Sequence, residues 1–303
     1  MDSEQKRRGR RLVISDLAPI HIVRLTKLPL ALLITVSALF GLAFANPSAT
    51  AKHYAILFIG SLWVVVSGAM LNNVQDKELD KLMERTKVRP LPSGIYSSGA
   101  VQKIAILIML AGFGLLAMLP HGIWVVAAAG FGIILYNVIY TPLKRRSLMA
   151  IFPGALCGVV PPVMGWIAGN GSLFTINFVA LIAVLFAWQM PHFWLILLFR
   201  RLDYQSAGLP NFLERFGENA LKRMIFVWLL AFSLILSTIA ASSTVSFAST
   251  RIFVLANSCA IAISAFYTLL RASKKQEWRA LFIHLNATLG LVMLVVILEK
   301  TFL

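Results

Sequence analysis

Only 12 of the 303 residues are Asp or Glu, so a place where several of them gather is the first place to look for chemistry. The run Asn72-Asn73-Val74-Gln75-Asp76-Lys77-Glu78-Leu79-Asp80 leaves a long apolar segment directly. If the helix continues, Asn72, Asp76 and Asp80 are spaced i, i+4, i+8 and share one face. Two carboxylates and an amide make a hard oxygen site, the kind Mg²⁺ takes together with substrate phosphates and waters. The plain alternative is a solvated helix end whose acids pair with Lys77 and Lys81. Arg85, Lys87 and Arg89 follow at once. Acids that hold a divalent ion beside cations that hold anionic oxygens are what a diphosphate requires. A basic loop on the inner side of a membrane would account for the cations, but not for the acids among them.

Two further groups carry weaker signals. Tyr140-Thr141-Pro142-Leu143-Lys144-Arg145-Arg146 ends another apolar run, and Tyr140 and Lys144 can point the same way unless Pro142 distorts the turn. A Tyr and Lys there are also ordinary interfacial residues. The stretch Trp188-Gln189-Met190-Pro191-His192 lies inside an apolar run that Pro191 is expected to break. Polar side chains at that depth face a cavity or the bundle interior, and a lone His is as often simply hydrogen-bonded. Asp203 follows, able to bring a second metal ion or to pair with Arg200 or Arg201.

The elements that must position these residues are membrane helices. With 59% hydrophobic and 13% charged residues, against about 25% charged in soluble domains, the chain has too little polar surface for a soluble globule. A bilayer core of about 30 Å takes about 20 apolar residues per helix. Nine windows qualify: Leu28–Ala45, Tyr54–Leu71, Val101–Leu119, Gly122–Thr141, Leu148–Ala168, Phe174–Phe199, Met224–Ser242, Arg251–Leu270 and Ala280–Leu298. They are continuous rather than alternating, so they read as helices and not barrel strands. The expected fold class is all-α: a polytopic membrane protein with a basic N-terminal tail over 1–27 and a nine-helix membrane domain over 28–303.

Basic residues give the orientation. With the N-terminus inside, every Lys and Arg except Lys52, Arg251 and Lys300 falls on the cytoplasmic side, and the C-terminus lies outside. The net charge of +16 is thus explained by topology and anionic lipid headgroups, and nucleic acid is not expected as a partner. Two inner connections, 72–100 and 200–223, are long and polar, and connections of that kind usually carry function. They follow the second and sixth spans, which suggests two similar halves. Cys157 and Cys259 sit in apolar runs and read as inert packing residues. The first apolar run is long enough to stay in the membrane, so no cleavable signal is expected.

The spans, the N-[ND]-x-x-D-x-x-x-D run, the Tyr140/Lys144 pair and the Asp203 loop together resemble the UbiA superfamily of prenyltransferases. The stretches Asp76–Gly94, Leu143–Ser147, Pro161–Trp166 and Trp188–Pro210 are similar, more narrowly, to its haem-farnesylating branch. Leu25-Thr26-Lys27-Leu28-Pro29 and Met149-Ala150 depart from the branch's common pattern. The resemblance implies a UbiA-like helical bundle in a bacterial or archaeal cell membrane. It also implies conversion of haem B, farnesyl diphosphate and water to haem O and diphosphate. In that scheme Asn72, Asp76, Asp80 and Asp203 hold Mg²⁺, with the three acids catalytic. Lys27, Arg85, Arg89, Tyr140, Lys144 and Tyr204 bind diphosphate, and Trp188, Gln189 and His192 serve the haem. Haem A synthase or a terminal oxidase assembly would be a contact. A UbiA-type enzyme with an aromatic acceptor such as 4-hydroxybenzoate, and a transporter without covalent chemistry, stand as alternatives.

Overall fold

The computed structural model describes residues 19–46, 48–242, 245–271 and 274–302. Most of the expected basic tail, including Lys6, Arg7, Arg8, Arg10 and Arg11, lies outside the described residues. Among the described residues the fold is all-helical, and nine helices are long and apolar enough to cross a membrane. Each overlaps one of the nine windows read from hydropathy. In chain order the elements are α1 (Pro19–Thr26), α2 (Leu28–Ala45), α3 (Ala51–Gln75), α4 (Lys77–Asp80) and α5 (Ser98–Leu116). Then come α6 (Gly122–Ile133), a π-helical stretch (Ile134–Tyr140), α7 (Thr141–Leu143), α8 (Ile151–Ala168) and α9 (Ile176–Phe199). The chain closes with α10 (Arg201–Ser206), α11 (Phe212–Ala241), α12 (Ala248–Leu270) and α13 (Lys275–Phe302).

Close helix contacts rest on small residues, as expected where lipid offers no hydrophobic drive for association. A Cβ on Gly165 of α8 would lie 1.9 Å from the Ala38 carbonyl oxygen of α2, and one on Gly41 would lie 2.0 Å from that of Pro162. Backbones can meet this closely only without side chains. Around that seam α8 joins two apolar cores. One gathers α9, α11, α12 and α13 about Leu185, Phe232 and Leu285, and the other gathers α2, α3, α5 and α6 about Leu42, Leu57 and Val125. Large apolar side chains such as Leu107, Leu234 and Ile263 remain exposed on the outer surface, where lipid would cover them.

The two inner connections are folded, not open loops. The first makes α4 and a series of turns that bury Leu91 and Tyr96 against α1, α3 and α5. The second makes α10 and then the start of α11, which begins well before the expected span and kinks at Gly217, where φ is 78°. One expectation is corrected here: Pro191 does not break its helix, because α9 runs through it from Ile176 to Phe199. Proline removes one N–H, and a packed membrane helix absorbs that loss.

Candidate active site

Asn72, Asp76 and Asp80 do share one buried face, although the helix between them is not continuous. Helix α3 ends at Gln75, Asp76 adopts φ −87° and ψ 3°, and α4 resumes at Lys77. The three side chains are only 2%, 4% and 3% exposed. A solvated helix end is therefore excluded, and so is the pairing with Lys77 and Lys81: Lys81 bonds Glu78 instead, at 2.7 Å. Buried carboxylates need charged partners; those of Asp76 come from the connection after the fourth span, and that of Asp80 from further along its own connection. Asp76 Oδ2 accepts from the Lys144 ammonium, and Asp76 Oδ1 accepts from Arg145 Nη2 at 3.0 Å. Asp80 Oδ2 accepts from Arg89 Nη1 at 2.8 Å.

Neighbouring asparagines serve the two pairs: Asn72 joins the Asp76 group, and Asn73 Oδ1 accepts from the Arg89 that holds Asp80, at 3.4 Å. Asn72 Nδ2 donates to Asp76 Oδ2 and to Thr141 Oγ1, both at 2.9 Å, while its Oδ1 accepts from Lys27 Nζ at 2.7 Å. Asn73 Nδ2 donates to the Leu25 carbonyl at 2.7 Å, locking α1 to α3. Lys27 itself joins α1 to α2 with a left-handed φ of 50°, which turns its side chain out of the regular helical path. Desolvation, then the charges of Arg89 and Lys144, bring the Lys27 pKa down to about 7, against the opposing pull of Asp76 and Asp80. For Asp76, burial raises the carboxyl pKa. The charge and hydrogen bond of Lys144, with Arg145 and Lys27, outweigh it and hold Asp76 below the ordinary value.

The Tyr140–Lys144 segment reaches this network because the helix before it is widened. The π-helical turns at Ile134–Tyr140 precede Pro142, and Thr141 Oγ1 donates back to the Tyr136 carbonyl at 2.8 Å. π-helical turns often mark functional sites. Tyr140 stacks on Tyr136 with ring centroids 5.9 Å apart, and Lys144 Nζ lies 5.6 Å from the Tyr140 ring.

Of the two readings of Asp203, pairing with Arg200 or Arg201 is not what the structure shows. Asp203 Oδ2 lies 3.8 Å from Arg85 Nε, so the first and second inner connections meet there. Burial pushes the neighbouring Tyr204 phenol up, opposed by Arg85 and aided by Asp203, which keeps it an O–H donor. Arg24, Lys27, Arg85 and Arg89 line a pocket of about 310 Å³. Another of about 300 Å³ lies among Gln75, Thr141, Arg145 and Arg146.

Trp188, Gln189 and His192 form a separate group deeper in α9, with no hydrogen bond or ion pair to the acids among the described residues. Gln189 packs onto Gly158 of α8, and His192 bonds Asn286 of α13. Sequence reasoning passed over Arg24, Arg145, Thr141, Asn73 and Asn286. Arg145 was visible in the basic cluster beside Lys144, but nothing local marked it as the residue that reaches Asp76.

A Mg²⁺ ion fits the donor set on chemical grounds. Asp76, Asp80 and the Asn72 amide offer hard oxygens only and are buried, while Asp203 lies against Arg85, and among the described residues no three acidic side chains gather at one point; the cations around them outnumber the acids. The surplus positive charge suits a ligand that brings several negative charges along with the metal.

Among the described residues, nine helices long and apolar enough to cross a membrane carry this acid-and-cation cage at one end. The chain belongs to the UbiA prenyltransferase family, which it matches over residues 33–289. It is 35% identical over 200 residues to the protoheme IX farnesyltransferase of Geobacter sulfurreducens, covering 66% of this chain and 73% of that one. It is 30% identical over 298 residues to the protoheme IX farnesyltransferase of Nitratidesulfovibrio vulgaris, covering 96% of both. The fold is similar to that of a UbiA homolog from Archaeoglobus fulgidus solved with GPP and Mg²⁺, with a TM-score of 0.67 and 15% identity, over 91% of this chain and 99% of that one.

Proposed function

We propose that this chain transfers a farnesyl group from farnesyl diphosphate to haem B, consuming water and yielding haem O and diphosphate. The observation that carries this reading is the buried cage in which Asn72, Asp76 and Asp80 meet Lys27, Arg89, Lys144 and Arg145. Similarity to proteins named protoheme IX farnesyltransferase supports the choice of acceptor.

Asp76 and Asp80, with Asn72, would hold one Mg²⁺ and Asp203 would help hold a second; when bound, the metal supplies a Lewis acid for the leaving diphosphate. The residues do the rest. Lys27, Arg85, Arg89 and Lys144 turn toward the diphosphate oxygens and offset the charge that develops as the C–O bond breaks. The Tyr204 hydroxyl donates to the same oxygens, and Tyr140 closes the wall beside Lys144. Tyr136 and Tyr140 present aromatic faces where the allylic cation forms, which stabilise positive charge and exclude water. The haem vinyl group attacks that cation, and water adds to the resulting centre with loss of one proton. Trp188, Gln189 and His192 serve the haem. The active end faces the cytoplasm, with the N-terminus inside, and haem A synthase or a terminal oxidase assembly is the consumer that could dock beside it.

Membranes carrying the chain, incubated with farnesyl diphosphate and Mg²⁺ plus either haem B or 4-hydroxybenzoate, test the reading by mass analysis. Farnesylated haem is expected, and its loss on chelation of Mg²⁺. Product from the aromatic acid alone would overturn the acceptor. Intact farnesyl diphosphate in every arm would overturn the enzyme reading.

A further inference from the structure

One polar pair inside the bundle is used by neither the acid cage nor the helix seams. His192 of α9 and Asn286 of α13 meet with Nδ1 and Oδ1 3.0 Å apart. Which atom carries the proton follows from the second bond of Asn286. Its Nδ2 donates to the Phe282 carbonyl at 2.5 Å, and a carbonyl can only accept. The amide orientation is therefore set, Oδ1 faces the imidazole, and an amide oxygen is likewise only an acceptor. His192 must then be protonated on Nδ1, which leaves the lone pair on Nε2. No other hydrogen bond to His192 is present among the described residues. An imidazole tied through one nitrogen to an oxygen acceptor, with the other nitrogen open, is how proteins prepare a metal-binding histidine.

The surroundings are aromatic, with one polar group left without a partner. The imidazole lies against Trp188 and Phe282, with ring centroids at 4.6 and 4.9 Å. The Trp188 Nε1–H is buried and has no acceptor. An orphaned buried donor is costly, and a carboxylate or water arriving with a ligand would satisfy it. The group also borders the acid cage. Phe193, next in the chain, and Tyr140 close on the same residue of α8: a Cβ on Gly154 would meet Tyr140 at 2.9 Å and Phe193 at 3.3 Å.

We infer that Asn286 is a positioning residue for the acceptor, holding His192 as the Nδ1-protonated tautomer so that Nε2 ligates the iron of the tetrapyrrole substrate. The bond formed is dative, from the Nε2 lone pair; no proton leaves and no electron changes hands. This inference rests on the proposed haem acceptor and adds to it the residue that sets the acceptor's pose.

The test is titration of the purified, detergent-solubilised chain with hemin, followed by the Soret band and by resonance Raman of the ferrous form. The wild type is expected to bind hemin at one site with an iron–imidazole stretch, and His192→Ala to lose that stretch. Asn286→Ala should weaken hemin binding by about 10- to 100-fold, the usual effect of removing a residue that orients a ligating histidine. Asn286→Asp, which keeps an acceptor, should restore most of it, and farnesyl diphosphate binding to both variants should match the wild type. A wild type without the iron–imidazole stretch would overturn the inference, and so would an Asn286→Ala variant with unchanged affinity and spectrum. If farnesylated haem still forms in those cases, the acceptor reading survives and only the assignment to His192 and Asn286 falls. If the wild type neither binds hemin nor farnesylates it, both fall.

Discussion

The Lys27 ammonium donates to Asn72 Oδ1 at 2.7 Å, and this bond joins the hinge between the first two helices to the head of the acid cage. Because Lys27 titrates near 7 there, it is a proton-dependent clamp. Its folded pKa lies below the unfolded value of 10.5, so between these limits the unfolded chain holds more protons and stability rises with pH. An anionic diphosphate favours the charged form, so its binding above pH 7 takes up a proton and weakens as pH rises further. Calorimetry in buffers of different ionisation enthalpy should show that uptake at pH 8 in the wild type and its loss in Lys27→Met.

Asp80 and Arg89 are a pair whose halves should not be separable. With Asp80 buried and Arg89 mostly so, Asp80→Ala leaves a guanidinium without its partner. A destabilisation near the lower end of roughly 3–5 kcal/mol is expected, and Asp80→Ala/Arg89→Met should recover much of it. Turnover should fall by about 10²–10³-fold in both variants, the usual loss when an electrostatic group is removed. Thermal unfolding in detergent and diphosphate release are the two measurements. Equal stability of single and double variants would refute the pairing.

Arg85 and Asp203 should behave in the opposite way. Their 3.8 Å contact is loose and Arg85 is half exposed, so Arg85→Gln should change stability by no more than about 1 kcal/mol. Its weight falls on the substrate, since Arg85 lines the same pocket as Lys27 and Arg89. KM for the prenyl diphosphate is expected to rise while the melting temperature holds.

The seam between α2 and α8 should tolerate no added carbon. Gly165→Ala sets a methyl against the Ala38 carbonyl and the Leu42 N–H, and overpacking of this kind costs about 1–3 kcal/mol. Gly114→Ala, with nothing within 4 Å of the new Cβ, should stay within about 1 kcal/mol of the wild type. Unfolding midpoints in one detergent compare the two directly.

Much of this arrangement was legible along the chain, because the physics behind it is local. Span length and apolar character need no partner to be read, which is why each of the nine windows falls on one of the nine spanning helices among the described residues. Helical spacing likewise put Asn72, Asp76 and Asp80 on one face, even though the backbone breaks at Asp76. Partner choice is not local, and it came only with the tertiary structure. Asp76 could have paired with neighbouring Lys77, and instead takes Lys144 and Arg145 from a connection two spans later. Asp203 passes over Arg200 and Arg201 for Arg85, and His192 finds Asn286, which carried no signal of its own. A basic loop offers many cations of equal chemistry. Which of them meets a given carboxylate depends on where helix packing brings the loops together, and close approaches such as those at Gly41 and Gly165 are part of that packing.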